Sequence, residues 1–305
     1  MKRIPALIPF LLVAALLAGC GDDEPATMIE TGTTATDDEA AIRSSVEMND
    51  EILGSTQFMG EDEAIDLSAA GFGKTLAEIN TVRWWRTPDS IERSVEIEFS
   101  GGDSIPRMAN VTVTVDVEGT LHLLAAPDDS TRVKYEKPFD AGSIRYAVFE
   151  RRERGGPRPR HERHRGAWKV TQISGASVES EGTTRQIQSV TVAGESETFT
   201  ITDPLALVAV GDLPAFHRGE DVTVTVATGD AADQVFLHSK GHRLQFESNG
   251  DGTFTGTWHV PRGQGDPIRS VKIDVLSHDT LLDDVAPYDS RAWVLSYRVE
   301  RIQEF

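Results

Sequence analysis

Apolar and polar positions alternate along much of this chain with the period of a β-strand. Across residues 92–100, Val95, Ile97 and Phe99 alternate with Glu96, Glu98 and Ser100. Across 110–118, Val111, Val113, Val115 and Val117 alternate with Thr112, Thr114 and Asp116. A period of two with one apolar face predicts half-buried strands of an antiparallel sheet. Glu118-Gly119-Thr120 reads as a tight turn that returns the chain through 121–124, and further strands are expected over 143–150 and 168–174. One stretch carries the helical period instead. Ile42, Val46, Asn49 and Leu53 fall on one face, Asp37 or Asp38 can cap the start, and Gly54 supplies the stop. A second, shorter helical patch is expected over 62–67. The expectation for residues 38–178 is therefore an α+β domain, one helix packed on a curved antiparallel sheet.

Residues 179–184, polar and containing Gly182, read as a linker. From 185 to 305 the pattern is uniformly β. Short strands are expected over 187–192, 198–201, 222–226, 234–238, 244–246, 253–260, 268–276 and 292–299, punctuated by Gly, Pro and Asp. Many short strands with turn residues between them predict an all-β sandwich.

The first residues have a different character. Lys2 and Arg3 precede an apolar run from Ile4 to Leu17, then Leu17-Ala18-Gly19-Cys20, then the polar Gly21-Asp22-Asp23-Glu24. A positive start, a short apolar stretch and small residues before a cut describe a secretory signal. With Cys at the junction, the stretch resembles the lipobox of bacterial lipoproteins. That resemblance implies diacylglycerylation of the Cys20 thiol, removal of residues 1–19 and acylation of the new amino terminus. Residues 20–37 then form a Thr-, Glu- and Asp-rich tether with too few apolar residues to order itself. Gly21 in place of the Asp that signals inner-membrane retention implies the outer membrane. After Cys20 no apolar run approaches the roughly 20 residues of a spanning helix.

Two further resemblances rest on element order. A long helix, then hairpins, ending in Gly166-Ala167-Trp168-Lys169-Val170-Thr171-Gln172-Ile173-Ser174, is similar to the cone-shaped nuclear-transport-factor-two-like fold, whose usual helical or loop insert Trp84-Trp85 would fit. The runs Arg218-Gly219-Glu220-Asp221-Val222-Thr223-Val224-Thr225-Val226, Val235-Phe236-Leu237-His238 and Asn249-Gly250-Asp251-Gly252-Thr253-Phe254-Thr255-Gly256-Thr257-Trp258 resemble bacterial immunoglobulin-like domains. Val222, Val224 and Val226 would fill the core position that antibody domains give to a disulfide.

Composition narrows the possibilities. A formal charge of -19 favours solubility and argues against nucleic-acid partners. The single Cys is taken by the lipid, so no disulfide and no Cys-based zinc or redox site can form. Against this acidity stands one basic block: Arg151, Arg152, Arg154, Arg158, Arg160, Arg163 and Arg165, with only Glu153 and Glu162 among them. It forms a connection longer than an ordinary hairpin loop, stiffened by Pro157 and Pro159. Guanidinium forks suit phosphate and carboxylate groups. Either the block docks on an anionic envelope component or an acidic protein, or it is a solvated loop that offsets the chain's own field.

Other constellations are thinner. Asp279, Asp283, Asp284 and Asp289 cluster between two expected strands, where they serve a calcium ion or simply form turns. His161 with His164, and His238 with His242, have metal-ligand spacing without a third ligand. Gly73-Lys74-Thr75 lacks the glycine-rich cradle of a phosphate loop. No cofactor and no catalytic constellation is legible. The reading is a lipid-anchored, non-enzymatic binding or interaction module; the alternatives are a small-ligand or enzymatic α+β domain on a lipid anchor, or a structural spacer.

Overall fold

The computed structural model describes residues 29–30, 37–54, 65–66, 78–101, 107–128, 130–151, 168–195, 197–239, 242–262 and 268–300. The elements in chain order are β1 (Ile29–Glu30), α1 (Asp37–Met48), α2 (Asp50–Leu53), β2 (Ile65–Asp66), β3 (Thr81–Ser100), β4 (Met108–Ala125), β5 (Val133–Arg151), β6 (Trp168–Ser180), β7 (Ser189–Ala193), β8 (Thr198–Ile201) and β9 (Val208–Ala209). They continue with β10 (Ala215–His217), β11 (Asp221–Ala227), β12 (Gln234–Ser239), β13 (His242–Gln245), β14 (Glu247–Ser248), β15 (Thr253–His259), β16 (Ile268–Leu276), α3 (His278–Leu282) and β17 (Ser290–Glu300).

The α+β domain expected over 38–178 is not what forms. Strands dominate this half as they do the other: β3, β4 and β5 are 20, 18 and 19 residues long and pair along almost their whole length. They belong to one 12-stranded sheet whose path is β1-β3-β4-β5-β6-β17-β16-β12-β13. The residues read as turns are the reason for the difference. Gly119 lies inside β4, opposite Pro88 and Phe139. A Cβ there would come within 2.4 Å of the Thr87 carbonyl oxygen and 2.7 Å of the Phe139 ring, so glycine marks a close strand approach and not a chain reversal. Pro88 is absorbed by an irregularity in the β3–β4 register. Trp84 and Trp85, expected in an insert, sit within β3, and Ile65–Asp66, expected to be helical, pair with it.

Helices α1 and α2 contribute Ile42, Val46 and Leu53 to the core beneath β3–β6, alongside Val95, Val111, Val113, Phe149 and Ile173. Residues 179–184 are tied down. Glu179 pairs with Arg291 across β6 and β17, and the Asp289 carboxylate accepts bonds from the Thr183 and Thr184 hydroxyls at 2.7 Å.

Strands β12, β16 and β17 are buried on both faces, because two layers cover them. On one side lies the five-stranded sheet β14-β15-β11-β7-β8. Val222, Val224 and Val226 of β11 meet Val235, Leu237, Val271, Ile273, Val275, Trp293 and Leu295 there. On the other side the large sheet curls back, bringing β3 over β12 and β16: the Trp84 and Phe236 rings lie 5.2 Å apart, and the Thr81 hydroxyl donates to the Leu281 carbonyl at 2.5 Å. A fully buried aliphatic or aromatic side chain contributes about 1.5–3 kcal/mol, so both cores favour this three-layer stack.

Candidate functional site

Alternation within β16 puts Val271, Ile273 and Val275 toward the second sheet and Lys272 and Asp274 toward β3. The second face meets protein, not water. Asp274 is fully buried, and two cationic side chains and an imidazole converge on it: the Arg86 guanidinium from β3 at 2.7 Å, the Lys272 ammonium at 3.3 Å and the His238 Nε2 from β12 at 3.4 Å. The Arg86 guanidinium also lies 5.0 Å from the Trp84 ring centroid and 5.4 Å from that of Tyr288. Burial would raise the Asp274 pKa, but the charges of Arg86 and Lys272 and the His238 hydrogen bond outweigh it and hold the carboxyl well below the usual carboxylate range. The cavity beside this network measures about 10 Å³, no more than a single water can use. The network joins two layers and admits no substrate.

The four aspartates considered for calcium do not converge. Asp283 accepts the Val285 and Ala286 backbone N–H groups at 2.8 and 3.0 Å, Asp289 is held by Thr183, Thr184 and Arg185, and Asp279 and Asp284 are exposed. The carbonyl cup at this loop is filled by a lysine. Lys137 Nζ donates to the carbonyl oxygens of Asp279, Thr280 and Asp283 at 3.2, 2.7 and 2.6 Å. Among the described residues no three His, Cys, Asp or Glu side chains are grouped to hold a metal.

Arg151 ends β5 and is engaged within the molecule. It pairs with Asp38 at the start of α1, and its guanidinium lies 4.7 Å from the Trp168 ring centroid. Arg152, Arg154, Arg158, Arg160, Arg163 and Arg165 lie outside the described residues, as do Cys20, His161, His164 and Gly73-Lys74-Thr75.

A larger opening lies at the rim of the second half, where β10 runs parallel to the end of β17. The register Ala215↔Arg298, Phe216↔Val299 and His217↔Glu300 turns Ala215, His217, Arg298 and Glu300 to one face. With Gly194, Glu197, Phe199, Asp212, Leu213, Phe216 and Glu220 they line a cleft of about 410 Å³. Gly219, at φ +78°, makes the turn from β10 into β11 and places Glu220 in the wall. The Glu220 carboxylate, 7% exposed, accepts the backbone N–H groups of Glu195 at 2.7 Å and His217 at 2.6 Å. A Cβ on Gly194 would lie 2.5 Å from Glu220 Oε1, so that position needs glycine for the carboxylate to seat. Phe199 and Phe216 meet edge to face at 6.2 Å and give the cleft an aromatic floor. None of these residues stood out as a site in the sequence. The one available signal was charge beside the turn in Arg218-Gly219-Glu220, which reads equally well as ordinary turn chemistry.

No protein-family model, no curated protein and no solved structure matches this chain.

Proposed function

We propose that this protein is a bacterial envelope lipoprotein, anchored through lipid on Cys20, most simply in the outer membrane, whose body is a non-enzymatic interaction module. The anchor rests on Leu17-Ala18-Gly19-Cys20 and the apolar run before it. The module reading is supported by one observation: the cavity among Arg86, Phe139, Lys272, Asp274 and Tyr288, where β3, β5 and β16 meet, measures about 10 Å³. An enzyme or carrier built on that half would instead enclose a pocket of some 300 Å³ or more with convergent polar groups. A ligand does not fit there, so the reading assigns this protein's contacts to its surface. Docking on an anionic envelope component falls to Arg152, Arg154, Arg158, Arg160, Arg163 and Arg165, since Arg151 is bound to Asp38.

The test is expression in a bacterial host with a clickable palmitate analogue, comparing the parent with Cys20→Ser. The parent is expected to carry label and sediment with membranes, and the variant to be unlabelled and soluble. Label or membrane retention in the variant would overturn the anchor.

A further inference from the structure

Alternation along β5 turns Phe139, Ala141, Ser143, Arg145, Ala147 and Phe149 to the inner face of the large sheet. Arg145 is the one charge in that row. It lies opposite Val113 of β4 and Ala176 of β6, and it is 1% exposed. Its Nε donates to the Gly175 carbonyl at 3.2 Å, while neither terminal nitrogen has a hydrogen-bond partner among the described residues. Burial pulls its pKa down from 12.5 to about 10, so the guanidinium is still charged at neutral pH. Arg93, 7% exposed, is also incompletely used: Nη1 donates to Asp50 at 3.3 Å, but Nε and Nη2 have no partner among the described residues.

The charges on these inner faces do not balance. Arg86, Arg93, Lys137, Arg145 and Lys272 are buried on β3, β5 and β16, and the one buried carboxylate among the described residues of those faces is Asp274. Asp274 serves Arg86 and Lys272, and backbone carbonyls serve Lys137. Asp50, which serves Arg93, is 45% exposed. Arg145 is left without a counter-charge among the described residues. A buried charge persists when it is paired, and water offers it hydrogen bonds but no opposite charge. The registers Arg93↔Val115 and Val113↔Arg145 put the two arginines on one face, two strands and two residues apart. That is about 12 Å between Cα atoms in a flat sheet, and curling toward this face shortens the gap between the side-chain tips. Neither arginine lines the clefts of about 410, 220 and 10 Å³, so the space between them is not one for a metabolite.

We propose that Arg145, with Arg93 beside it, holds a single chloride ion inside the large sheet as a fixed structural counter-ion. The free N–H groups of two guanidinium forks supply charge-assisted donors, and the same charges repel any cation. A monatomic anion accepts those donors from any direction and needs little more room than a buried water. The ion links β5 to β3 and supplies the negative charge that Asp50, out toward solvent, does not. The site stands apart from both the lipid anchor and the surface contacts.

Thermal melts of the full-length protein in a neutral detergent test the site, with sodium chloride set against sodium gluconate at equal concentration. Gluconate matches the ionic strength and is too large to enter. The melting temperature of the parent is expected to rise, relative to gluconate, by about 5 °C between about 1 and 100 mM chloride and then to level off. Arg145→Met fills similar space without the charge. Its melting temperature is expected to be the same in both salts and, in gluconate, at least as high as the parent's, because no unpaired buried charge remains. Arg93→Met is expected to move the chloride response to about tenfold higher concentration. Equilibrium dialysis of the parent against radioactive chloride in a gluconate background reads the bound ion directly, whether or not either variant folds. No bound chloride in the parent, equal responses to the two salts, or the same bound ion in Arg145→Met would overturn the proposal. Stabilisation by phosphate at concentrations where chloride has no effect would overturn the choice of ion.

Discussion

Replacing Asp274 by Asn keeps the side chain's shape and removes the charge on which Arg86, Lys272 and His238 converge. The site is fully buried, so water cannot take the place of the lost carboxylate. Removing one partner of a buried ion pair costs about 3–5 kcal/mol, because the desolvated charge left behind is no longer compensated. Against a total stability of about 5–15 kcal/mol, the loss is about a fifth or more. Urea unfolding followed by tryptophan fluorescence reads it directly, since Trp84 stands beside the Arg86 guanidinium. At a slope of about 3 kcal/mol per molar urea, the midpoint is expected to fall by about 1–1.7 M. Asp274 has a folded pKa below its unfolded value. Its contribution is then fully present above the unfolded carboxylate value of about 4 and lost as pH falls through the lower folded one. The gap between parent and variant should hold from neutral pH to about 4 and close only in stronger acid. A double variant with Arg86→Met should be more stable than the sum of the singles predicts by about 1–3 kcal/mol. A variant within about 1 kcal/mol of the parent at neutral pH, or a gap that closes between about pH 7 and 5, would refute an ionised, paired Asp274.

Three other substitutions test the joints of the fold. Lys137→Met strands three carbonyl oxygens beside α3 and should cost about 2–4 kcal/mol by chemical denaturation. Burial pulls the Lys137 pKa down to about 8 from 10.5, against the charges of Asp283, Asp279 and Asp284. Between those values the unfolded chain binds more protons than the folded one, so the parent should gain stability relative to Lys137→Met as pH rises through that window. Gly175→Ala sets a Cβ 2.3 Å from the Val294 carbonyl oxygen and 2.8 Å from that of Pro204; a cost of about 3 kcal/mol should lower the melting temperature by about 10 °C. Arg151→Ala removes the Asp38 pair and the contact with Trp168, and should cost about 1 kcal/mol by the same melt.

Strand positions were legible wherever one face met a core and the other met water. Val111, Val113, Val115 and Val117 are buried with Asp116 exposed between them, and Val222, Val224 and Val226 occupy the core that alternation assigns them. Alternation failed at Gly119, because glycine marks a turn and a tight interstrand contact alike, and only the Phe139 ring distinguishes the two. It was also blind to the Asp274 network. Lys272 and Asp274 occupy the polar phase of β16, and that phase looks the same whether it faces solvent or a buried guanidinium from a strand 188 residues away. The cleft has the same origin: residues 194–220 and 298–300 share no local pattern and meet only because β10 lies along β17.

By itself, then, the sequence determined the dominance of strands in the second half and the inward side of strands with one face in water, such as β4 and β11. Those properties depend on a residue and its near neighbours. Which strands pair, how the large sheet curls over β16 and where charges meet were decided by the tertiary structure alone. Backbone hydrogen bonding is the same for every residue type but proline, so a strand's partner is selected only when whole faces are matched in the folded protein.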